Sequence, residues 1–301
     1  MAQIVGRIAV SHGPQLYIPP ELWPNILRRE DEIIEIPGMA AEITDDVMAR
    51  RYAATQVDLA AVAKQVREID PDVIIVIGDD QRENILADNT PPFLVFIGDE
   101  CTASTRVSHY HLGDEFTDTI TNYQVDTGLG KHIIQSLLDS DFDPAYSTKT
   151  RHEQGLGHAF GRPLFTTNAD GRYKIVPIMV NTYYPPTASP KRCVDFGRAL
   201  EKAIDSYPED SRVLVMASGG LSHMVIDEQV DRAFLKAVEE HDIEYMATMD
   251  PAVLVSGTSE IRNWIIVAAM AHEGGNVIDY QPCYRNLAGV GCAMAFATWA
   301  S

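Results

Sequence analysis

The sequence predicts an α/β fold in which a central sheet is packed by helices on its faces. Three observations lead there: short β-branched runs, longer stretches with apolar residues at helical spacing, and regular alternation of the two along the chain. Residues 4–10 read as the first strand. Over residues 44–68 apolar side chains recur at helical spacing (Val47, Ala54, Val57, Leu59, Val62 and Val66), with Thr44 and Asp45 as candidate N-caps. Asp70-Pro71 stops that helix. Residues 73–77 then form a near-continuous apolar run, typical of a strand buried on both faces. Residues 93–97, 175–180 and 213–216 have the same character, and further helices are expected over 130–138, 190–206, 228–239 and 258–272. The segment 99–126 is polar and without a clear period. It reads either as an irregular excursion near a site or as a long surface connection, the second being the ordinary case. No repeat, low-complexity tract or flexible linker divides residues 1–301, which predicts a single domain.

Composition narrows the function classes. The chain has 301 residues, 46% of them hydrophobic and 22% charged, which excludes a disordered chain. Asp and Glu number 43 against 24 Lys and Arg, a net charge of −19 that repels phosphate backbones and anionic lipid. No nucleic-acid or membrane partner is therefore expected, although a local basic pocket for a small anion survives this argument. Cys101, Cys193, Cys283 and Cys292 are scattered with no C-x-x-C pair, so neither a disulfide scaffold nor a zinc ribbon is indicated. No run of about 18 apolar residues is present. The N-terminal residues reach a polar His12-Gly13-Pro14 without a signal peptide's apolar stretch, and the expected location is the cytoplasm.

Chemistry in an open α/β sheet gathers beyond the carboxyl ends of the strands. Three such ends are polar here: Ser11-His12-Gly13-Pro14, Gly78-Asp79-Asp80-Gln81-Arg82-Glu83-Asn84, and Ala217-Ser218-Gly219-Gly220-Leu221-Ser222-His223. One strand-end histidine is usually structural; two in glycine-containing loops point to a site. Gly128-Leu129-Gly130-Lys131 lacks the spacing and the hydroxyl residue of a phosphate loop, and no G-x-S-x-G nucleophile elbow occurs. His109-Tyr110-His111 would present two imidazoles on one face of a strand, though most such pairs bind nothing. Glu260, opening a helix with an apolar face, is either a helix-dipole partner or a metal ligand in the first turn.

Ordered blocks along nearly the whole chain resemble the class III extradiol ring-cleavage dioxygenases, the LigB-type family that includes protocatechuate 4,5-dioxygenase. They are Ser11-His12-Gly13-Pro14; Pro71-Asp72-Val73 and the strand to Asp80-Gln81; His158 with Pro163-Leu164; residues 176–181 with Pro185-Pro186; Arg192-Cys193 and Gly197; residues 218–223; and Glu260 with Asn263-Trp264. The resemblance implies one LigB-like domain with a central mixed sheet flanked by helices. It also implies a non-haem Fe(II) held by two histidines and a carboxylate, with open positions for O2 and a catechol-like aromatic substrate. Matched residue by residue, His12 is the first ligand, Glu260 the carboxylate, His223 the acid/base, and His158 a second histidine near the substrate oxygens. Imidazole suits proton transfer because it titrates near neutrality.

Where the family carries its second histidine ligand, this chain has Gln81. Gln81 then ligates through its amide oxygen, His109 or His111 replaces it, or oxygen chemistry has been lost. The leading expectation is an Fe(II)-dependent ring-cleaving dioxygenase with His12, Gln81 and Glu260 as ligands. The alternative is a non-oxidative hydrolase or lyase of a cyclic or 1,3-dicarbonyl compound on the same fold, using another metal or none. Arg162 and Tyr184, next to family blocks, are candidates for gripping a ring substituent. A homo-oligomer is the default by base rate, and some relatives add a small second subunit.

Overall fold

The structure is a computed structural model that describes residues 1–26 and 35–300. Its strands are β1 (Gln3–Val10), β2 (Val73–Gly78), β3 (Phe93–Phe96), β4 (Glu100–Ser104), β5 (Ile120–Gln124), β6 (Ala145–Ser147), β7 (Lys174–Val180), β8 (Arg212–Ser218), β9 (His223–Val225), β10 (Asn276–Tyr284) and β11 (Val290–Trp299). Its helices are α1 (Asp45–Ile69), α2 (Thr127–Leu138), α3 (His158–Thr167), α4 (Pro190–Asp205), α5 (Glu228–Glu240), α6 (Ile243–Thr248) and α7 (Ile261–Ala268). The main sheet runs β10-β11-β1-β8-β2-β7-β3-β6, with β9 paired to β11. β1, β8, β2 and β7 are mutually parallel, while β11 is antiparallel to β1 and β3 antiparallel to β7. The central mixed sheet flanked by helices is thus as expected.

The period of two along each strand divides the core into two layers. Val73, Ile75 and Ile77 of β2 point into one layer with Leu129 of α2, Phe196 and Leu200 of α4 and Trp264 of α7. Ile74 and Val76 point into the other, with Leu59, Val62 and Val66 of α1 and Phe160 and Leu164 of α3. Because the four parallel strands share a direction, their carboxyl ends bring residues 11–13, 79–81, 181–184 and 219–220 to one edge of the sheet. Thr44 caps α1 as expected, its hydroxyl accepting from the Val47 amide.

Four departures from the sequence expectation have physical causes. Helix α3 was not expected because Gly161 and Pro163 lie inside it. The expected helix over 258–272 is a 3-10 turn over Ser256–Glu260 followed by the shorter α7. In the C-terminal strand pair β11 carries alanine at residues 293, 295 and 297 and β10 carries Pro282, both unfavourable for strands in isolation. Pro282 is tolerated because β10 is an edge strand. Segment 99–126 is more than a surface connection: β4 and β5 pair antiparallel, and the Ser104 amide donates to the Leu156 carbonyl beside α3.

Helix α4 lies against α7 at Gly197, where a methyl group would come within 2.3 Å of the Ile266 carbonyl oxygen. Gly197→Ala must therefore separate the two helices. We expect a loss of about 1–3 kcal/mol, read as a lower urea midpoint with unchanged m-value.

Candidate functional site

Glu260 ends the 3-10 turn that precedes α7, and its side chain is wholly buried. Its Oε2 accepts from the Gly220 amide at 2.8 Å and lies 3.5 Å from His12 Nε2. Its Oε1 accepts from Gln81 Nε2 at 3.1 Å and lies 3.4 Å from His223 Nε2. Burial alone would raise this carboxyl, but the imidazoles of His12 and His223 outweigh it and hold the group well below the usual carboxylate range. Four residues distant in sequence therefore meet on one carboxylate.

The tautomer of His12 follows from its partners. Pro163 has no amide hydrogen, so the Ala159 carbonyl one turn earlier in α3 is left without its helical donor. The Ser218 hydroxyl donates to that carbonyl and accepts from His12 Nδ1 at 2.8 Å. His12 Nδ1 thereby carries a hydrogen, and its Nε2 faces Glu260. A helix-breaking proline thus sets the orientation of a strand-end imidazole.

His223 opens β9, paired with Cys292 of β11. The Leu221 carbonyl accepts from its Nδ1 at 2.9 Å, which leaves Nε2 towards Glu260. Burial would lower its pKa, yet the Glu260 charge outweighs this and raises it to about 10. The ring fits only because residue 257 is glycine: a Cβ there would lie 2.0 Å from His223 Cδ2. Asp231 holds the preceding loop, accepting from the Ser222 amide and hydroxyl and from the Tyr280 hydroxyl. Asn263 and Trp264 of α7 donate to the Ser218 and Gly219 carbonyls, which ties the β8 end to the helix behind Glu260.

His158, the first residue of α3, stands edge-on to His12 with ring centres 5.1 Å apart. Glu83 accepts from its Nδ1 at 2.8 Å and from its backbone amide, and lies 3.2 Å from Arg106 Nε. Burial pushes the His158 imidazole down to about 4 against the opposing pull of Glu83. Although burial opposes it, the contact with His158 and the Arg106 charge hold Glu83 down at about 2. The pair is thus a neutral imidazole on an ionised carboxylate. Nothing in the sequence singled out Glu83 or Arg106; only folding brings the β2 loop, the β4–β5 segment and the start of α3 together.

Asp79, immediately after β2, is fully buried, and no donor reaches either of its oxygens at hydrogen-bonding distance. Burial, then the Glu260 and Glu83 charges, keep its carboxyl well above the usual range, with the Gln81 amide offsetting only part. One ligand atom each from His12, Asp79 and Glu260 lie within 4.8 Å of one another. An imidazole and two carboxylates so gathered are a donor set of the kind that holds a divalent cation. Asp80 does different work, its carboxylate accepting from the Glu83, Asn84 and Ile85 amides to fix the loop.

The other residues singled out in the sequence fare differently. His109 and His111 are exposed, on a turn rather than a strand, and are not part of this cluster. Arg162 is buried, and its guanidinium donates to the carbonyls of Thr105, His12 and Arg106 and to the Tyr110 hydroxyl. Those contacts make it a clamp on the loops behind His12, in place of the expected grip on a substrate. Tyr184 follows β7, half-buried, with the Arg82 guanidinium 4.0 Å from its ring centre. Gln81 reaches Glu260 as an amide donor.

Residues 35–294 match the family model of the catalytic LigB subunit of aromatic ring-opening dioxygenase. The chain belongs to that family. It is 29% identical over 180 residues to 2,3-dihydroxyphenylpropionate/2,3-dihydroxicinnamic acid 1,2-dioxygenase 1 of Dechloromonas aromatica (strain RCB), covering 60% of this chain and 52% of that one. It is 36% identical over 104 residues to gallate dioxygenase of Pseudomonas putida (strain KT2440), covering 34% and 29%. The chain thus spans about half the length, or less, of these curated relatives. The crystal structure of an uncharacterized protein from Escherichia coli K12 has the same fold, with a TM-score of 0.50 at 12% identity over 80% of this chain and 92% of that one. Among the described residues no helix is long and apolar enough to cross a membrane.

The His158–Glu83 pair has a definite pH signature. The unfolded chain protonates His158 below about 6.5, whereas the folded chain does so only near 4, so this residue lowers stability progressively as pH falls between those values. Glu83 contributes stability that is full above about 4.5 and is lost as pH falls towards 2. Urea unfolding of His158→Gln between pH 7 and pH 4 should show a shallower loss of stability than wild type. An unchanged slope would mean that His158 is charged in the folded protein.

Proposed function

We propose that the protein is an extradiol ring-cleaving dioxygenase that inserts O2 into a catechol-like aromatic substrate at a non-haem Fe(II). The observation that carries this reading is the convergence of His12, Glu260, His223 and His158 at the carboxyl ends of the parallel strands, in a chain of the LigB family. His12 and Glu260 are residues that would hold the metal. When bound, it would supply a redox-active centre for O2 chemistry.

The chain's own groups handle protons and position. His223, with Nδ1–H fixed by the Leu221 carbonyl, presents Nε2 to take a catechol hydroxyl proton. The raised pKa of His223 depends on Glu260; when that carboxylate is engaged as a ligand, the imidazole returns towards the range in which it exchanges protons near neutrality. Neutral His158, anchored through Nδ1 by Glu83, offers its other nitrogen as an acceptor to a substrate hydroxyl. Tyr184, backed by Arg82, is placed to stack against the ring. The small aromatic substrate is of the catechol class, in keeping with the gallate and dihydroxyphenylpropionate named for the relatives.

Protein loaded anaerobically with Fe(II) should consume oxygen in step with ring opening across a panel of catechols that includes those two compounds. His223→Ala should lower kcat by about 10²- to 10⁴-fold, the usual worth of a positioned acid/base, while metal content stays near that of wild type. Equal loss of metal in that variant would make His223 a ligand. Turnover of a cyclic diketone without oxygen uptake would replace the oxidative reading with the hydrolytic one.

A further inference from the structure

We propose that Asp79, and not Gln81, is the third metal ligand of this site, so that the metal is held by one histidine and two carboxylates. The inference rests on the metal-site part of the functional reading and departs from the two-histidine arrangement that the family resemblance implies. The geometry carries it. His12 Nε2 faces Glu260 Oε2 at 3.5 Å. One ligand atom of Asp79 joins those of His12 and Glu260 within 4.8 Å. Both Asp79 oxygens are without a donor, in a position that is fully buried. A buried carboxyl left in this way either stays neutral or is met by a cation. Asp79 sits on the first residue after β2, a rigid platform of the kind that suits a ligand.

Gln81 is accounted for without ligation. Its amide nitrogen donates to Glu260 Oε1, the oxygen on the side away from His12. It orients the carboxylate, as partners of ligating groups commonly do. Gln81 is therefore a positioning residue, and the acidic side chain two positions earlier takes over the corner left by the family's histidine. The resulting donor set is harder than two imidazoles and one carboxylate, which suits Mn(II) as well as Fe(II).

Mn(II) is the probe for the test, added to the full chain after chelation and followed by loss of the electron paramagnetic resonance signal of the aquated ion. Wild type should bind one equivalent and gain thermal stability on binding. Asp79→Asn should weaken binding at least tenfold and abolish that gain, with a metal-free Tm no lower than that of wild type. Gln81→Ala should weaken binding by less than Asp79→Asn does and should keep the gain in thermal stability on loading. Wild-type affinity in Asp79→Asn, with the loss appearing in Gln81→Ala, would overturn the proposal and return the third corner to Gln81. A misfolded Asp79→Asn would also count against it, since an orphaned carboxylate contributes nothing to the metal-free fold. Failure of wild type to bind Mn(II) or Fe(II) would overturn both the proposal and the metal-dependent reading. If wild type loads and Asp79→Asn does not, yet loaded protein takes up no oxygen with any catechol, the ligand assignment stands and the dioxygenase reading falls.

Discussion

A carboxylate buried to the exclusion of water has to be met by charge or by donors, and the site is organised around that requirement at Glu260. Its two oxygens divide the work. One faces His12 and receives the Gly220 amide; the other faces His223 and receives the Gln81 amide. Those partners come from the ends of β1 and β8, the loop after β2 and the start of β9. A displacement of any of these elements leaves a desolvated charge short of a partner. The position of one side chain thus constrains the mutual placement of the central strands and α7.

Around this hub lies a scaffold of buried polar side chains that hold the loops carrying the site. Arg162 clamps the carbonyls of residues 12, 105 and 106, and Asp231 holds the turn before His223. Asn263 and Trp264 pin the β8 end. Pro163 frees a carbonyl that Ser218 then uses to orient His12. These contacts tie the loops of the site to the elements behind them before any ligand arrives. Glycine has a matching role where space is short. A Cβ at residue 157 would lie 1.6 Å from Glu83 Oε2, so the glutamate can approach His158 only because that position carries none.

The departure at Gln81 gains a structural explanation in its own loop. The stretch from Asp79 to Asn84 presents consecutive side chains to different tasks: Asp79 to the cluster, Asp80 to the loop backbone, Gln81 to Glu260 and Glu83 to His158. Because Asp80 fixes the backbone, an amide two residues beyond a carboxylate can still reach the hub. The loop therefore retains a full set of polar contacts to the site with a different assignment of roles.

The sequence alone determined the parallel core. Continuous apolar runs at β2, β7 and β8 have no other stable setting than a sheet covered on both faces, and the histidines and glycines at the strand ends marked the edge where a site would form. Ordered motifs along the chain supplied the family and named His12, His158, His223 and Glu260, which the structure gathers. Only the tertiary structure decided the rest. Helix α3, Pro282 in β10 and the alanines of β11 defy local propensity because packing and edge position compensate for it. Glu83, Arg106 and the clamp formed by Arg162 are contacts between segments distant in sequence, which leave no periodicity to read. Asp79 was visible at a strand end, but its lack of any partner is a property of its surroundings in three dimensions. Desolvation and hydrogen-bond satisfaction are set by what surrounds a side chain, and a sequence carries that information only once it is folded.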